Sequence, residues 1–170
     1  MELAIRRETP LDIQNVSELI KSAFKNEVTN DLVEVLRSRK NFIKELSLVA
    51  EVNGVISGYV LLSPIEIETG QSLVNTLWLE PVCVQPKFQN RGIGSALINY
   101  SLNKARSMGF ESVFVTGEFK YYSRFGFCKA HQYGIHSSLY VPADAFLGME
   151  LIKNGLKHNG KLIYPLEIYE

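Results

Sequence analysis

From Val82 to Ser95 the sequence passes from an apolar, β-rich run through a short polar loop to two glycines that open an apolar-striped helix. A strand that feeds directly into a helix belongs to an α/β architecture. The free backbone N–H groups at such a helix start, aided by the helix dipole, form a site for an anion. Gly92 and Gly94 carry no Cβ, so the backbone can approach a diphosphate closely. The Arg91 guanidinium and the Ser95 hydroxyl add donors to the same place, and Gln89, Asn90 and Ile93 complete the loop. Two familiar phosphate patterns fail here. Leu97 stands where the dinucleotide fingerprint G-x-G-x-x-G needs its third glycine, and no Gly-Lys-Ser/Thr closes a P-loop. What remains is Q-x-x-G-x-G at a strand-to-helix junction.

The flanking pattern predicts the elements around this loop. Leu3–Arg6 reads as a first strand. Thr9 and Pro10 then suit the cap and first position of a helix whose Ile13, Val16, Leu19, Ile20 and Phe24 form one apolar stripe. A second helix is expected from Asn30 to about Ser38, with Leu32, Val35 and Leu36 inward. Leu48–Val52 and Val55–Glu66 read as a hairpin, because Asn53-Gly54 supplies the positive φ angles of a tight turn. Gly58 marks a bulge or a close approach within the second strand, and Pro81 a bulge or an edge in a strand over Ser72–Val84. The glycine-led helix runs to Met108 and ends at Gly109. Ser112–Thr116 reads as a strand, Lys120–Phe125 as a short helix and Phe127–Ala130 as another strand, and two apolar runs around Asn154–Gly160 read as a last hairpin.

Composition sets outer limits. One domain over residues 1–170 is expected, since 170 residues suit a single core and no repeat or linker interrupts them. Eighteen Lys and Arg balance eighteen Asp and Glu, which argues against a dedicated nucleic-acid binder. No apolar run approaches the ~20 residues that span a bilayer, and the first residues lack the apolar centre of a signal peptide. Two separated cysteines make neither a disulfide framework nor a zinc spacing. The expectation is a cytoplasmic protein without a membrane anchor, metal or nucleic-acid partner.

A second constellation follows at Gly117-Glu118-Phe119-Lys120-Tyr121-Tyr122-Ser123-Arg124-Phe125-Gly126-Phe127. The Q-x-x-G-x-G loop resembles the Q/R-x-x-G-x-G/A signature of the GNAT superfamily of N-acetyltransferases. The later segment resembles that family's Y-x-x-x-G-F element. The fuller Y-Y-x-R-F-G-F string, with Leu79-Glu80-Pro81-Val82-x-Val84-x-Pro86, is similar to one bacterial branch of it. The likeness covers the chain from about Leu3 to Ala130 and is most specific at residues 79–95 and 117–127. It implies a mixed, mostly antiparallel central sheet of six to seven strands flanked by about four helices. It also implies acetyl-CoA as co-substrate and transfer of its acetyl group to a primary amine by direct attack in a ternary complex.

The resemblance assigns roles residue by residue. The backbones of Val82, Cys83 and Val84 pair with the pantetheine arm, and Gln89, Asn90, Arg91, Gly92, Ile93, Gly94 and Ser95 hold the pyrophosphate. The Val84 N–H meets the thioester carbonyl if the strand splays there. Tyr122 stands where such enzymes carry their general acid, and a phenol with pKa about 10 keeps its proton at neutral pH for the departing thiolate. Tyr121 is its competitor, and the alternative for Tyr122 itself is packing under the cofactor. Glu80 is the carboxylate nearest the carbonyl-binding strand and a candidate base, although the related branch usually has a small residue there. Glu66, Glu118 or a water relay are alternatives.

Other residues invite roles that their surroundings support less well. His131, His136 and His158 have no second ligand type at metal spacing and read as loop or surface side chains. Cys83 lacks a neighbouring histidine in sequence and reads as a strand cysteine rather than an acyl carrier. Trp78 and the tyrosine-rich C-terminus either line the acceptor pocket or fill core. Two rival functions stand beside the acetyltransferase: a catalytically silent CoA-binding sensor or partner-binding domain, and an acyltransferase with another acyl group or an alcohol acceptor. A small-molecule or peptide amine is the expected partner of a monomer or homodimer, with a strand over Leu162–Tyr169 available to a second subunit.

Overall fold

The computed structural model describes residues 1–165, and nine strands fall in one mixed, mostly antiparallel sheet with four α-helices. The expected α/β class is found, with more strands than the six to seven expected. The surplus includes Ile135–Ser137, which is too brief to leave a periodic signal, whereas Cys128–Lys129 falls within the strand expected over Phe127–Ala130. The residues cluster into two compact units, Met1–Ser63 with Glu80–Lys104, and Pro64–Leu79 with Ala105–Glu170.

In the first unit, β1 (Leu3–Arg7) pairs antiparallel with β2 (Ser47–Val52), which pairs antiparallel with β3 (Val55–Glu68) across the Asn53-Gly54 turn. Both turn residues have positive φ, 51° and 82°, as the sequence requires of them. The register slips between Ala50 and Glu51 opposite Gly58 and Ile56, so Ser57 is the extra residue of a bulge. Gly58 is also the close approach: a Cβ there would lie 2.8 Å from Leu97 Cδ1 and 3.1 Å from Ile93 Cγ2. Both expectations for that glycine hold at once.

A 3-10 turn at Pro10–Asp12 leads into α1 (Ile13–Phe24). Here the cap is made by Asp12 and not only by Thr9. Its carboxylate accepts from the Thr9 N–H at 2.7 Å and from the Arg6 guanidinium at 2.7 Å, and Arg6 holds that carboxyl well below the usual range. Of the stripe expected on α1, Val16, Leu19 and Ile20 are buried, whereas Ile13 and Phe24 at its two ends are exposed. In α2 (Val28–Ser38) Val33 and Leu36 are buried while Leu32 and Val35 are only half-covered, so the stripe is rotated from the expected one. Beneath these helices Glu8 and Arg37 form a buried ion pair, and Glu8 also accepts from the Ser47 hydroxyl at 2.9 Å. Ser47 in turn meets the buried Tyr59 hydroxyl at 2.8 Å.

β4 (Leu73–Val84), whose residues up to Leu79 belong to the second unit, is the parallel partner of β5 (Ser112–Thr116) at Trp78 and Phe114. β5 pairs antiparallel with β8 (Phe146–Glu150), and β8 with β6 (Cys128–Lys129). The end of β3 pairs with β9 (Gly160–Ile163), which carries β7 (Ile135–Ser137) in parallel. β8 and β9 therefore do not form the hairpin expected around Asn154–Gly160. Each finds its hydrogen bonds on a different strand, and the residues between them make turns. Of the strand expected over Leu162–Tyr169, the portion from 166 on lies outside the described residues.

Candidate active site

The loop at the end of β4 is built from local constraints. The Gln85 N–H donates to the Ser57 carbonyl at 2.8 Å, and Pro86–Phe88 form a 3-10 turn that brings the chain back toward α3 (Ile93–Ser107). The Gln89 side chain donates to the Val84 carbonyl at 3.1 Å. Asn90 and Gly92 then take left-handed φ angles of 63° and 82°. Glycine adopts that conformation freely, and asparagine is among the few other residues that tolerate it. A Cβ at Gly92 would meet no atom within 4 Å, so the loop lies open on that side. The Ala96 N–H donates to the Gly92 carbonyl at 3.0 Å at the head of α3.

Charge around the loop favours an anion. Arg91 is exposed beside Gly92, and its guanidinium sits 5.6 Å from the Phe88 ring centroid, with the Lys87 ammonium at 5.3 Å from the same ring. No carboxylate pairs with Lys87 or Arg91 in the ion pairs found among the described residues. The loop geometry, the unoccupied space at Gly92 and the two cations fit a diphosphate.

Further back on β4, Cys83 is buried and Glu80 half-buried. Burial raises the Glu80 carboxyl to about 7, because the charged form is poorly solvated there. Burial, and then the nearby Glu80, push the Cys83 thiol up to about 12. A thiol held in that range supplies almost no thiolate at neutral pH, which removes the basis for a covalent acyl-cysteine.

In the second unit, Tyr122 closes α4 (Phe119–Tyr122) and is followed by a 3-10 turn, Ser123–Phe125, that ends at Gly126 with φ 110°. Its ring meets the Phe127 ring edge-on at 5.7 Å and the Tyr121 ring at 5.0 Å. Gly117 is required by this packing, since any Cβ there would overlap the Tyr122 ring. Tyr121 also meets the Phe125 ring edge-on at 5.4 Å and lies under the Arg124 guanidinium at 5.2 Å. Trp78 is nearly buried, packs edge-on against Tyr164 at 5.0 Å, and has an indole N–H without an acceptor among the described residues.

The described residues hold no group of three or more His, Cys, Asp or Glu arranged for a metal ion, and no helix long and apolar enough to cross a membrane. Sequence reasoning did not find the clefts. One of about 560 Å3 in the first unit is lined by Arg6, Asp12, Glu18 and Glu51, and one of about 410 Å3 in the second unit by His131, His136 and their neighbours. Each is assembled from separated elements, so no motif announces it.

The mixed, mostly antiparallel sheet and its four helices have the GNAT fold. The model of the acetyltransferase (GNAT) family matches residues 13–127, and the chain belongs to that family. It is 30% identical to the uncharacterized N-acetyltransferase YhbS of Escherichia coli K12 over 126 residues, 74% of this chain and 73% of the relative. The crystal structure of E. coli YhbS in complex with CoA superposes with a TM-score of 0.90 at 26% identity, covering 100% of this chain and 93% of that one. A GNAT family acetyltransferase from Brucella melitensis in complex with acetyl-CoA gives 0.79 at 27% identity, covering 99% of each chain.

Proposed function

We propose that this chain is an N-acetyltransferase, one domain over residues 1–170, that transfers an acetyl group from acetyl-CoA to a primary amine by direct attack in a ternary complex. The observation that carries the reading is the Gln89–Ser95 loop, with left-handed Asn90 and Gly92 at the head of α3, in a chain similar over its length to proteins crystallised with CoA and acetyl-CoA. The proposed setting is the cytoplasm, as a monomer or homodimer.

Acetyl-CoA supplies the acetyl thioester. Gln89, Asn90, Arg91, Gly92, Ile93, Gly94 and Ser95 hold its pyrophosphate through backbone N–H groups and the Arg91 charge. The backbones of Val82, Cys83 and Val84 orient the pantetheine arm, and the Val84 N–H donates to the carbonyl oxygen as negative charge develops there. Glu80 takes a proton from the incoming ammonium, a task that suits a carboxyl whose burial brings it near neutrality. The freed nitrogen forms the N–C bond as the C–S bond breaks, Tyr122 gives its phenolic proton to the departing sulfur, and the proton that the acylated nitrogen sheds to become a neutral amide restores the Tyr122 phenol through solvent.

A thermal-shift titration of purified protein with acetyl-CoA, against ATP and NAD, tests this reading. Ligand at about 100 times its Kd adds about 2.7 kcal/mol and moves the midpoint by several degrees. Selective stabilisation by acetyl-CoA is expected, and its absence at saturating ligand sinks the proposal.

A further inference from the structure

The cleft of about 410 Å3 in the second unit lies between the 3-10 turn at Ala130–Tyr133, β7 and the segment that follows it. Ile135, Leu139, Val141 and Phe146 supply its apolar wall, while His131, His136 and Ser137 supply polar groups. Its lining includes no carboxylate, lysine or arginine among the described residues. Asp144 stands beside it but faces Lys129 at 3.1 Å. A mostly apolar concavity of this size with a few polar groups is the usual composition of a small-molecule site.

The cleft is tied to Tyr122 by a short chain of contacts. The Tyr122 ring lies on the Gly117 backbone, and the Gly117 N–H donates to the Ala145 carbonyl at 2.9 Å. Phe146, the next residue, lines the cleft, pairs with Thr116 in the β5–β8 register and stacks on Phe114 at 5.6 Å. The ladder from Ser112–Glu150 to Thr116–Phe146 fixes the face of β8 on which Phe146 lies, because slipping it by one residue would turn every side chain to the other face. On the opposite wall, Ser137 reaches the Tyr164 hydroxyl at 3.2 Å, which limits how far β7 can move from β9.

We propose that this cleft seats the body of the acceptor, and that it favours monoamines with an aromatic or aliphatic body over polyamines and aminoglycosides. The inference rests on the acetyl-transfer reading and names the substrate class for it. An apolar body gains by leaving water against Leu139, Val141 and Phe146. A second ammonium carried into the same space would lose its hydration with no carboxylate among the described lining residues to replace it. The imidazoles of His131 and His136 can accept or donate single hydrogen bonds and so orient one polar substituent, whereas the Ser137 hydroxyl is engaged by Tyr164 and by the Leu139 N–H.

The test titrates 2-phenylethylamine and spermidine separately into the full chain saturated with coenzyme A, following assigned backbone amide resonances. Saturable binding of 2-phenylethylamine is expected, with its largest shifts at Leu139, Val141 and Phe146 and an affinity about tenfold or more above that of spermidine. Ala143 is exposed at the cleft, so Ala143→Trp should fill it without disturbing the core. That variant should bind 2-phenylethylamine about tenfold or more weakly, with its affinity for coenzyme A unchanged. Shifts that map elsewhere, equal affinity for spermidine, or unaltered amine binding in Ala143→Trp would each overturn the inference. A failure to bind coenzyme A overturns the acetyl-transfer reading instead, and the amine titration on the free chain then decides the cleft by the same shift map.

Discussion

The Gln89 side-chain amide donates to the Val84 carbonyl at 3.1 Å, fastening the loop at the head of α3 to the last residue of the strand that precedes it. The bond joins the two backbone segments to which the proposal assigns the pyrophosphate and the thioester carbonyl. Gln89→Ala should therefore cost about 1 kcal/mol of stability and weaken coenzyme A several-fold. Gly92→Trp should weaken it far more, because Gly92 has a φ of 82° that an L-residue rarely adopts. Isothermal titration of both variants checks the order, and unchanged affinity in Gly92→Trp would remove the cradle from the proposal.

Tyr122 presents the sharpest distinction between an enzyme and a silent CoA-binding domain. Its packing on Gly117 and Phe127 is by the ring, which phenylalanine reproduces. Tyr122→Phe should thus keep the fold and coenzyme A binding while turnover falls about 10²-fold, the usual worth of general acid catalysis. Tyr121→Phe serves as the control and should leave the rate nearly intact. Equal activity in Tyr122→Phe would strip that residue of its role as acid.

Glu80 links activity and stability to pH in opposite directions. Its carboxyl is raised from 4.5 to about 7, so the folded chain holds a proton that the unfolded chain releases over that interval. The unfolded state then binds fewer protons, and stability falls as pH rises between those values, by at most about 3 kcal/mol. The base must be ionised to act, so kcat/KM should rise through an apparent pKa of about 7. Glu80→Gln should flatten the stability change between about pH 5 and about pH 8 and abolish that limb of the rate profile. Melting curves at the two values and a pH–rate profile measure both effects, and an unchanged rate profile would leave the proton to a water relay.

Gly58 has no room for a side chain. With Leu97 Cδ1 at 2.8 Å, Ile93 Cγ2 at 3.1 Å and the Cys83 carbonyl at 3.3 Å from a built Cβ, Gly58→Val must displace α3 or β3. Overpacking of this kind costs about 1–3 kcal/mol, which denaturant unfolding would read. Because Ile93 and Leu97 belong to the first turns of α3, affinity for coenzyme A should fall with it.

The buried Glu8–Arg37 pair carries a different risk. Ser47 and Tyr59 complete its hydrogen bonds, and Glu8 is almost wholly covered. Arg37→Met would strand that carboxylate and destabilise by about 3–5 kcal/mol, whereas replacing both partners by apolar residues should cost much less. Chemical denaturation of the single and double variants separates the two outcomes.

The sequence by itself determined the elements whose signals are local. Asn53-Gly54 specified its hairpin, the stripe from Ile13 to Phe24 its helix, and Gln89 to Gly94 the loop that marks the family, because turn chemistry, helical period and backbone freedom act over a few residues. The tyrosine-bearing turn was legible for the same reason, since Gly126 alone could take its φ of 110° without strain. Only the tertiary structure decided the rest. β8 and β9 look like a hairpin in sequence yet pair with strands far away, since the partner of a strand is chosen by which faces remain to be buried. The raised carboxyl of Glu80 and the inert thiol of Cys83 follow from burial, which no neighbour in sequence reveals. The cleft that joins His131, His136 and Phe146 exists because β7 and β8 lie where long-range pairing puts them. Periodicity fixes what an element is, and packing between distant elements fixes what it faces.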